Sequence, residues 1–572
     1  MNNLIKSIQD QKYPILFFLI YFVIGISIYK DYGIGWDEGI CIRSGVINSL
    51  EINKNFNYLI LSKEKVNQII YNAGYGSKIS DLDKFMDKYY GSINEIILLA
   101  PSFILKTYND TQSVIHIRHF MIFFLFWLST IFFYKILFDR FNNIFIALIG
   151  TSFLILSPRI FADSFYNSKD LVFLSFTIIA IYTSLKFLDK RNIKYAIIHA
   201  LASAIIIDIR IPGIFIPALT YLFLLLFAIR DKSYSKNTFI LPLIVYSISL
   251  IVFVIMFWPY LWSFDPLGRF VAAFNRMSNF PYILDVFYLG KLLKPSELPW
   301  HYSFVWILIT TPIYISALFT FGLGILLLNF KKFKVLISDD NFIKDIFLLL
   351  CFVFPLFVVI YLNSTLYNGW RQLFFIYPGI IFIATFGFHK LLYLKQNKKY
   401  KYSIIAVFVA LLSFTTFQMI SMHPYQMVYF NFLAGDDPKK NFDYEYWGLS
   451  YLEGINKVLD KEQHSEKIKI FRGEFSPIAG TGRILEKKDR DRVEFTEFHD
   501  ARYFITNYSE YFNNEIGFKK RYKLAPYQEI DSITVNDIKI LSIFKLDDRN
   551  YIDSSFQLRI LNDRVKYPNK NL

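Results

Sequence analysis

The stretch FMIFFLFWLSTIFFYKILF, residues 120–138, has Lys135 as its one charged residue and is otherwise almost wholly apolar or aromatic. A helix needs about 20 mostly apolar residues to cross a bilayer, where only a helix or a closed barrel satisfies its backbone hydrogen bonds. Similar blocks occur at Pro14–Tyr29, Ile144–Leu156, Leu171–Leu185, Tyr195–Ile207, Ile214–Ile229, Phe239–Trp258, Phe304–Leu328, Ile346–Leu362, Leu373–Phe388 and Ile404–Met422. They predict an α-helical polytopic membrane protein with about eleven spans.

The composition agrees with this class. Hydrophobic residues make up 54% of the chain and charged residues only 19%, whereas a soluble protein carries about 25% charged residues. The net charge is 62 − 47 = +15, but no basic stripe interleaved with aromatics is present, so we expect no nucleic-acid partner. Cys41 and Cys351 are the two cysteines, and the second lies in an apolar block, which argues against a disulfide framework and a cysteine metal site.

The distribution of positive charge predicts the orientation. Lys6 and Lys12 precede the first block, and no small-residue cleavage site follows it, so we interpret it as an uncleaved span with a cytoplasmic N-terminus. Alternating the spans from there, the inside connections carry Lys135 and Arg140; Lys186, Lys190, Arg191 and Lys194; Arg230, Lys232 and Lys236; Lys331, Lys332, Lys334 and Lys344; and Lys395, Lys398, Lys399 and Lys401. The short outside connections carry far fewer cations, as the positive-inside rule requires.

Two regions follow from this topology. Residues 1–422 form a transmembrane domain with long outer loops at 30–118 and 259–302, and Ile93–Leu105 in the first loop is amphipathic enough for a helix on the membrane surface. Residues 423–572 are predicted to be a small extracytoplasmic α/β domain. Its predicted elements are a helix at Tyr446–Leu459 and strands at Lys467–Phe471, Arg492–Phe495, Arg502–Asn507 and Ile538–Phe544.

The candidate functional residues lie at the outer ends of the predicted spans. Asp37 and Glu38 follow the first span in Gly35–Gly39, where solvated loop carboxylates are the simpler interpretation of the pair alone. The further candidates are Arg159, Asp163, Lys169 and Asp170 in SPRIFADSFYNSKD (157–170), Asp208 and Arg210 after the fifth span, His301 in LPWHY (298–302), and Arg371 in NGWRQ (368–372). Arg159 and Lys169 also suit interfacial anchors, the Trp and Tyr residues an aromatic belt, and His301 a hydrogen-bonded interfacial histidine.

These residue types suit one kind of chemistry when they share a surface. Carboxylates can take a proton from a hydroxyl, and fixed arginines can hold a phosphate leaving group. An outer cleft with both fits transfer of a sugar from a lipid phosphate to an acceptor. Ion-coupled transporters also place ionisable groups in membranes, so a transporter or lipid flippase is the alternative. A non-catalytic envelope scaffold held by the outer domain is a third class.

Several segments carry a family resemblance. The acidic pair Asp37-Glu38 resembles that of the first outer loop of GT-C fold glycosyltransferases, which include protein O-mannosyltransferases and the bacterial aminoarabinose transferase of lipid A. The segments SPRIFADSFYNSKD (157–170), WPYLW (258–262), LPWHY (298–302), NGWRQLFFIYP (368–378), HPYQMVYFN (423–431) and DYEYWGLSY (443–451) resemble bacterial family 39-like members. The resemblance implies a polyprenyl-phosphate-linked sugar as donor, an envelope lipid, glycan or protein as acceptor, inversion, and catalysis at the outer leaflet of a bacterial inner (plasma) membrane.

The resemblance also implies roles for single residues. Asp37 matches the catalytic acidic position, Glu38 its neighbour, and Asp170 the second acidic residue; Arg159, Arg210 and Arg371 would contact phosphate or acceptor. Lys169 and His301 are grouped with these as substrate-binding candidates. Ser157 stands where relatives have Asn, and Asp163 where a His or small residue is expected, which leaves open which of Asp163 and Asp170 lines the site. A divalent metal bridging Asp37 and the phosphate is compatible with the superfamily, although the spacing demands no cofactor.

Overall fold

The computed structural model describes residues 2–57, 82–231, 239–278, 280–282, 284–330, 338–463, 467–473, 477–497, 500–509 and 527–546. The chain divides into two compact units. The first comprises Met1–Tyr32, Asp37–Val286 and Leu293–Asp436, and the second comprises Gly33–Trp36, Phe287–Leu292 and Asp437–Leu572.

The first unit is built from helices. In chain order these are α1 (Asn2–Ile28), α2 (Glu38–Asn55), α3 (Ile93–Ile104), α4 (Thr111–Phe141), α5 (Ile144–Ile155), α6 (Pro158–Tyr166), α7 (Asp170–Lys190), α8 (Ile193–Ile209), α9 (Phe215–Asp231), α10 (Leu241–Phe257), α11 (Pro266–Ser278), α12 (Tyr302–Thr310), α13 (Ile313–Phe330), α14 (Asp340–Tyr361), α15 (Tyr377–Leu392) and α16 (Lys398–Ser421). Every apolar block overlaps one helix or, for Phe304–Leu328, two, so the prediction of a mostly helical protein with several apolar spans is confirmed.

The number of spans is a separate question. Among the described residues, six helices are long and apolar enough to cross a membrane, or seven if α5 and α6, bent by 67° at their junction, count as one span. The predicted count of about eleven therefore stays a prediction. The block Phe304–Leu328 is divided between α12 and α13, because Pro312 precedes Ile313 and cannot donate a backbone hydrogen bond to the turn before it.

Asparagine and aspartate side chains set several helix boundaries. Asp110 accepts a hydrogen bond from the backbone N of Ser113 at 3.1 Å and so caps α4. At the other end of α4, Asn142 takes a left-handed conformation, and the side chain of Asn143 caps α5 by accepting from the backbone N of Ile146 at 3.1 Å. Two adjacent asparagines thus end one helix and begin the next.

The outer loops of the prediction contain ordered elements. Residues 30–118 contribute α2 and α3, with residues 58–81 outside the described part, and residues 259–302 contribute α11 and the strands β1 (Val286–Tyr288) and β2 (Lys291–Leu293). The predicted helix at Ile93–Leu105 is confirmed as α3. Part of its apolar face packs inside the protein, where Leu99 contacts Val46 and Val114, and its position on the membrane surface stays a prediction.

The second unit contains a five-stranded mixed sheet in the order β4-β3-β5-β7-β6. Its strands are β3 (Ile468–Phe471), β4 (Val493–Thr496), β5 (Tyr503–Thr506), β6 (Tyr527–Val535) and β7 (Ile538–Leu546), and β3 pairs in parallel with both β4 and β5. Four of these strands were predicted, and β6 was not. The predicted helix at Tyr446–Leu459 begins later, as α17 (Tyr451–Lys461), since Gly448 has a φ of +77° that no helix accommodates.

Candidate functional site

Asp37, Asp170, Arg210 and Arg371 form one ion-paired group, which we call the acidic–arginine cluster. Arg371 donates from Nη1 to Asp37 Oδ2 at 2.7 Å and to Asp170 Oδ2 at 3.1 Å, while Arg210 donates from Nη2 to Asp170 Oδ1. Asp37 directly precedes α2, Asp170 is the first residue of α7, Arg210 follows α8, and Arg371 begins the short turn ahead of α15. Residues far apart in sequence therefore meet at the ends of four helices.

The members of the cluster differ in their exposure. The side chains of Asp170 and Arg371 are 1% and 4% exposed, whereas those of Arg210 and Asp37 are 14% and 29% exposed. Two arginines contact the carboxylate of Asp170, and its backbone N donates to Asn167 Oδ1 at 2.8 Å. These contacts fix the position of Asp170. A substrate approaching the cluster would meet Asp37 and Arg210 first.

Electrostatics keep Asp37 ionised. Its partial burial raises the pKa of the carboxyl, but the positive charges of Arg371 and Lys169 and the hydrogen bond from Arg371 outweigh burial and hold the pKa below its ordinary value. The Nζ of Lys169 lies 3.7 Å from the centre of the Tyr90 ring, a cation–π contact that orients the ammonium. Burial lowers the pKa of Lys169, but Cys41, Tyr90 and the nearby carboxylates raise it above the usual lysine value, so the side chain stays charged.

Asp163 lies behind the cluster rather than in it. Its side chain is fully buried, and Asn167 Nδ2 donates both to Asp163 Oδ1 and to Asp170 Oδ2 at 3.3 Å each. Of the two aspartates that the sequence could not rank, Asp170 is the one that contacts the arginines.

Glu38 points away from its neighbour Asp37. Its Oε1 lies 3.0 Å from His119 Nε2, and both side chains are at most 2% exposed. The residue before His119 forms a second sealed pair, in which Arg118 Nη2 donates to Glu95 Oε2 at 2.6 Å. Glu95 Oε1 in turn accepts from Ser168 Oγ at 3.0 Å, two residues before Asp170.

His119 and Arg118, which are consecutive in α4, therefore pair with two buried glutamates that lie near the candidate carboxylates. Glu38 follows Asp37 in the sequence, and Glu95 accepts from Ser168, two residues before Asp170. We call Glu38, Glu95, Arg118 and His119 the sealed pairs. Glu95, Arg118 and His119 were not predicted from the sequence, although charged residues at the head of a long apolar block are themselves a signal of a specific partner. Asp208 is likewise structural, since its Oδ2 accepts from the backbone N of Ile93 at 2.8 Å and holds the start of α3.

Arg159 and His301 are held elsewhere by aromatic residues. Arg159 donates from Nε to the carbonyl of Tyr429 at 3.1 Å, and its guanidinium lies 4.5 Å from the centre of the Phe430 ring. The His301 ring centre is 5.7 Å from that of Trp300, at the start of α12. Of the predicted site residues, the structure therefore unites Asp37, Asp170, Arg210 and Arg371, with Lys169 and Asp163 beside them.

The described partner of the Asp37 carboxylate is a guanidinium rather than a further metal-ligand side chain. Within the described ranges, no three His, Cys, Asp or Glu side chains group as a metal ion requires. The metal considered from the sequence would bridge Asp37 and the donor phosphate, and Arg371 Nη1 already contacts both Asp37 and Asp170. The guanidinium groups of Arg371 and Arg210 together balance the charge of the two aspartates.

No protein-family model matches the chain, and no curated protein sequence matches it. Among solved structures, the chain is similar to the crystal structure of ArnT from Cupriavidus metallidurans bound to undecaprenyl phosphate, with a TM-score of 0.42 and 9% sequence identity over 92% of this chain and 97% of that one. At that identity most aligned side chains differ, so the chemistry of this chain has to follow from its own residues.

Proposed function

We propose that this protein is an inverting glycosyltransferase that moves a sugar from a polyprenyl-phosphate donor to an envelope acceptor at the outer membrane leaflet. The observation that carries the proposal is the shared guanidinium of Arg371, which contacts Asp37 and Asp170 at once. Through this guanidinium, a carboxylate that can accept a proton lies next to cations that can hold a phosphate.

Asp37 would be the general base. It is ionised and is the most exposed carboxylate of the cluster, so an acceptor hydroxyl can reach it. In the proposed step, the hydroxyl oxygen attacks the anomeric carbon as its proton passes to Asp37, and the bond from that carbon to the phosphate oxygen breaks. The polyprenyl phosphate leaves with the bonding electron pair, and a general base of this kind contributes about 10²–10⁴-fold to the rate.

Arg210, Arg371 and Lys169 would hold the leaving phosphate. A phosphate ester is already ionised at neutral pH, so the leaving group needs positive charge rather than a proton. Arginine suits this role because its fork pairs with two phosphate oxygens. Asp170, almost fully buried beneath Arg210 and Arg371, would hold both guanidinium groups in place.

The charge distribution supports placing the cluster at the outer face. Asp170 begins α7, and the opposite end of that helix carries Lys186 paired with Asp139 at 2.8 Å and Asp189 paired with Lys344 at 2.7 Å. Arg140, Arg191 and Arg230 belong to the same end, where they pair with Asp345, Asp231 and Asp340. By the positive-inside rule, that end faces the cytoplasm and the cluster faces outward.

The test is a transfer assay with the full-length protein purified and reconstituted into liposomes. Sugars labelled with tritium and linked to polyprenyl phosphate are offered in a panel, with envelope lipids, glycans and proteins as acceptors. We expect transfer of at least one sugar with inverted anomeric configuration. Transfer from a nucleotide sugar in the absence of lipid carrier, or movement of the labelled lipid across the bilayer without transfer, would contradict the proposal and favour another class.

A further inference from the structure

Helix α11 presents a row of large apolar side chains to its surroundings. Phe264, just before the helix, is exposed to 111% of its reference area, and Leu267, Val271 and Phe274 are exposed to 74%, 48% and 43%. Residues at this spacing lie on one face of a helix. We call these four residues the apolar stripe. Scattered apolar residues are ordinary on a protein surface, but a continuous row of this kind indicates a binding surface.

The opposite part of the helix is anchored in the protein. Ala273 is fully buried, and Phe270 and Met277 pack against a core that includes Trp258 and Leu261. Arg269 adds polar contacts, donating from Nη1 to the carbonyl of Tyr260 at 2.8 Å and pairing with Asp83 Oδ1 at 3.1 Å. Because one side of α11 is held by packing and ion pairing, the apolar stripe cannot turn inward.

The neighbouring surface indicates what covers the stripe. Helix α10, which precedes α11, exposes Ile248, Ile251, Val252 and Met256, so an apolar surface is exposed on both sides of the short connection. The sequence of α11 contains Arg269 and Arg276 and no acidic residue, and Arg276 is exposed. At about 100° per residue, both arginines lie on the side of the helix away from the stripe, so the apolar face can enter the acyl chains while the cations face water.

We propose that α11 is an interfacial helix that inserts the apolar stripe into the outer boundary of the bilayer. The ligand is the lipid surface itself. This inference does not depend on the transfer chemistry, because it rests only on the exposed side chains of α11 and α10.

The test uses single engineered cysteines on the full-length protein in nanodiscs containing phosphatidylglycerol. Cys41 and Cys351 are buried, so a bimane label reacts at the introduced position. Val271→Cys reports the stripe, and Ala272→Cys is the matched control, since Ala272 is also exposed but lies about 100° further round the helix. We expect lipids with a spin label near the headgroup to quench the label at position 271 at least threefold more strongly than that at 272, and iodide to show the reverse order.

Two outcomes would overturn the proposal. Equal quenching by iodide at both positions would show that the stripe faces water. Protection of position 271 from both quenchers would show that protein covers it, as in contact with a second copy.

Discussion

Asp37 and Glu38 are neighbours in sequence, yet they belong to two very different ionic groups. Asp37 is 29% exposed and shares Arg371 with Asp170 in the acidic–arginine cluster. Glu38 is 2% exposed and pairs with His119, whose own neighbour Arg118 pairs with Glu95. In the acidic–arginine cluster a substrate can reach cations and a carboxylate, whereas the side chains of the sealed pairs are at most 3% exposed. Exposure rather than residue type distinguishes the chemical site from its support.

The comparison also explains how the cluster keeps its shape. A buried charge is tolerated only with a partner, and removing one partner leaves the other uncompensated. In the sealed pairs, His119 contacts Glu38, the residue after Asp37, and Glu95 accepts from Ser168, two residues before Asp170. We therefore expect substitutions in the cluster to change transfer, and substitutions in the sealed pairs to change stability.

Replacing Asp37 should have the largest effect on transfer. In Asp37→Asn the base is lost while the shape of the side chain is kept, so the rate should fall by about 10²–10⁴-fold. The matched control is Asp139→Asn, which breaks the ion pair with Lys186 at the far end of α4 and should transfer at the wild-type rate. Comparable losses in both variants would mean that the exposed carboxylate of the cluster has no special role.

Arg371→Lys should come next, with transfer reduced by about 10²-fold. Lysine keeps the charge, but it cannot hold two carboxylates and a phosphate through a rigid fork. The loss should appear in kcat more than in KM, because the charge on the leaving phosphate is greatest in the transition state. A kcat equal to that of the wild type would remove Arg371 from the proposed step.

The sealed pairs should respond in stability. His119→Leu removes the imidazole that contacts the buried Glu38 carboxylate and should lower the free energy of unfolding by about 3–5 kcal/mol. His119→Gln is the matched variant, since its amide nitrogen can still donate to Glu38, and it should retain most of the stability. Thermal unfolding in detergent measures both, and transfer is then expressed per folded molecule. A folded His119→Gln protein that transfers nothing would place His119 in the chemistry.

A smaller effect concerns pH. The pKa of Asp37 is held below its ordinary value of about 3.9, so activity that needs the carboxylate is present above that depressed pKa and is lost as the pH falls through it. Lys169→Met removes one of the charges that depress the pKa of Asp37, so the acid side of the pH–rate profile should move to higher pH. The profile is measured at saturating donor. A shift to lower pH would contradict the direction of the electrostatic effect.

The smallest expected effect is that of metal removal. Because Arg371 lies between Asp37 and Asp170, transfer by the purified protein should be unchanged after treatment with EDTA and desalting. Loss of activity that Mn²⁺ or Mg²⁺ restores would show that a metal takes part and that the guanidinium moves aside.

Much of the fold follows from sequence because the bilayer imposes a strong rule. Apolar blocks such as residues 120–138 must be helical, and every block overlaps one helix or, for Phe304–Leu328, two. The four predicted strands of the second unit alternate or concentrate β-branched and aromatic residues, whereas β6 (Tyr527–Val535) contains Gln528, Glu529 and Asp531 and gives a weaker signal. The break between α12 and α13 at Pro312 follows from the missing N–H of one residue, but the lengths of the spans depend on packing between helices.

The site was harder to predict than the helices. Four members of the site could be proposed because each is a charged residue at the end of an apolar block, where a charge is costly unless it has a partner or a function: Asp37, Asp170, Arg210 and Arg371. Their pairing could not be deduced, since it depends on how distant helix ends meet. Arg159 has the same residue type and a similar position, yet it packs on Phe430. Glu38 could not be separated from Asp37 without knowing which way each side chain points.

The most direct test measures donor binding and transfer on one preparation of the Asp37→Asn protein. Removing this carboxylate frees Arg371 from a competitor, so a fluorescent polyprenyl-phosphate sugar should bind to the variant at least as tightly as to the wild type. In the same liposomes, single-turnover transfer of the sugar should be lost. Wild-type transfer by a variant that binds the donor would contradict the central claim that Asp37 is the base of a lipid-phosphate glycosyltransferase.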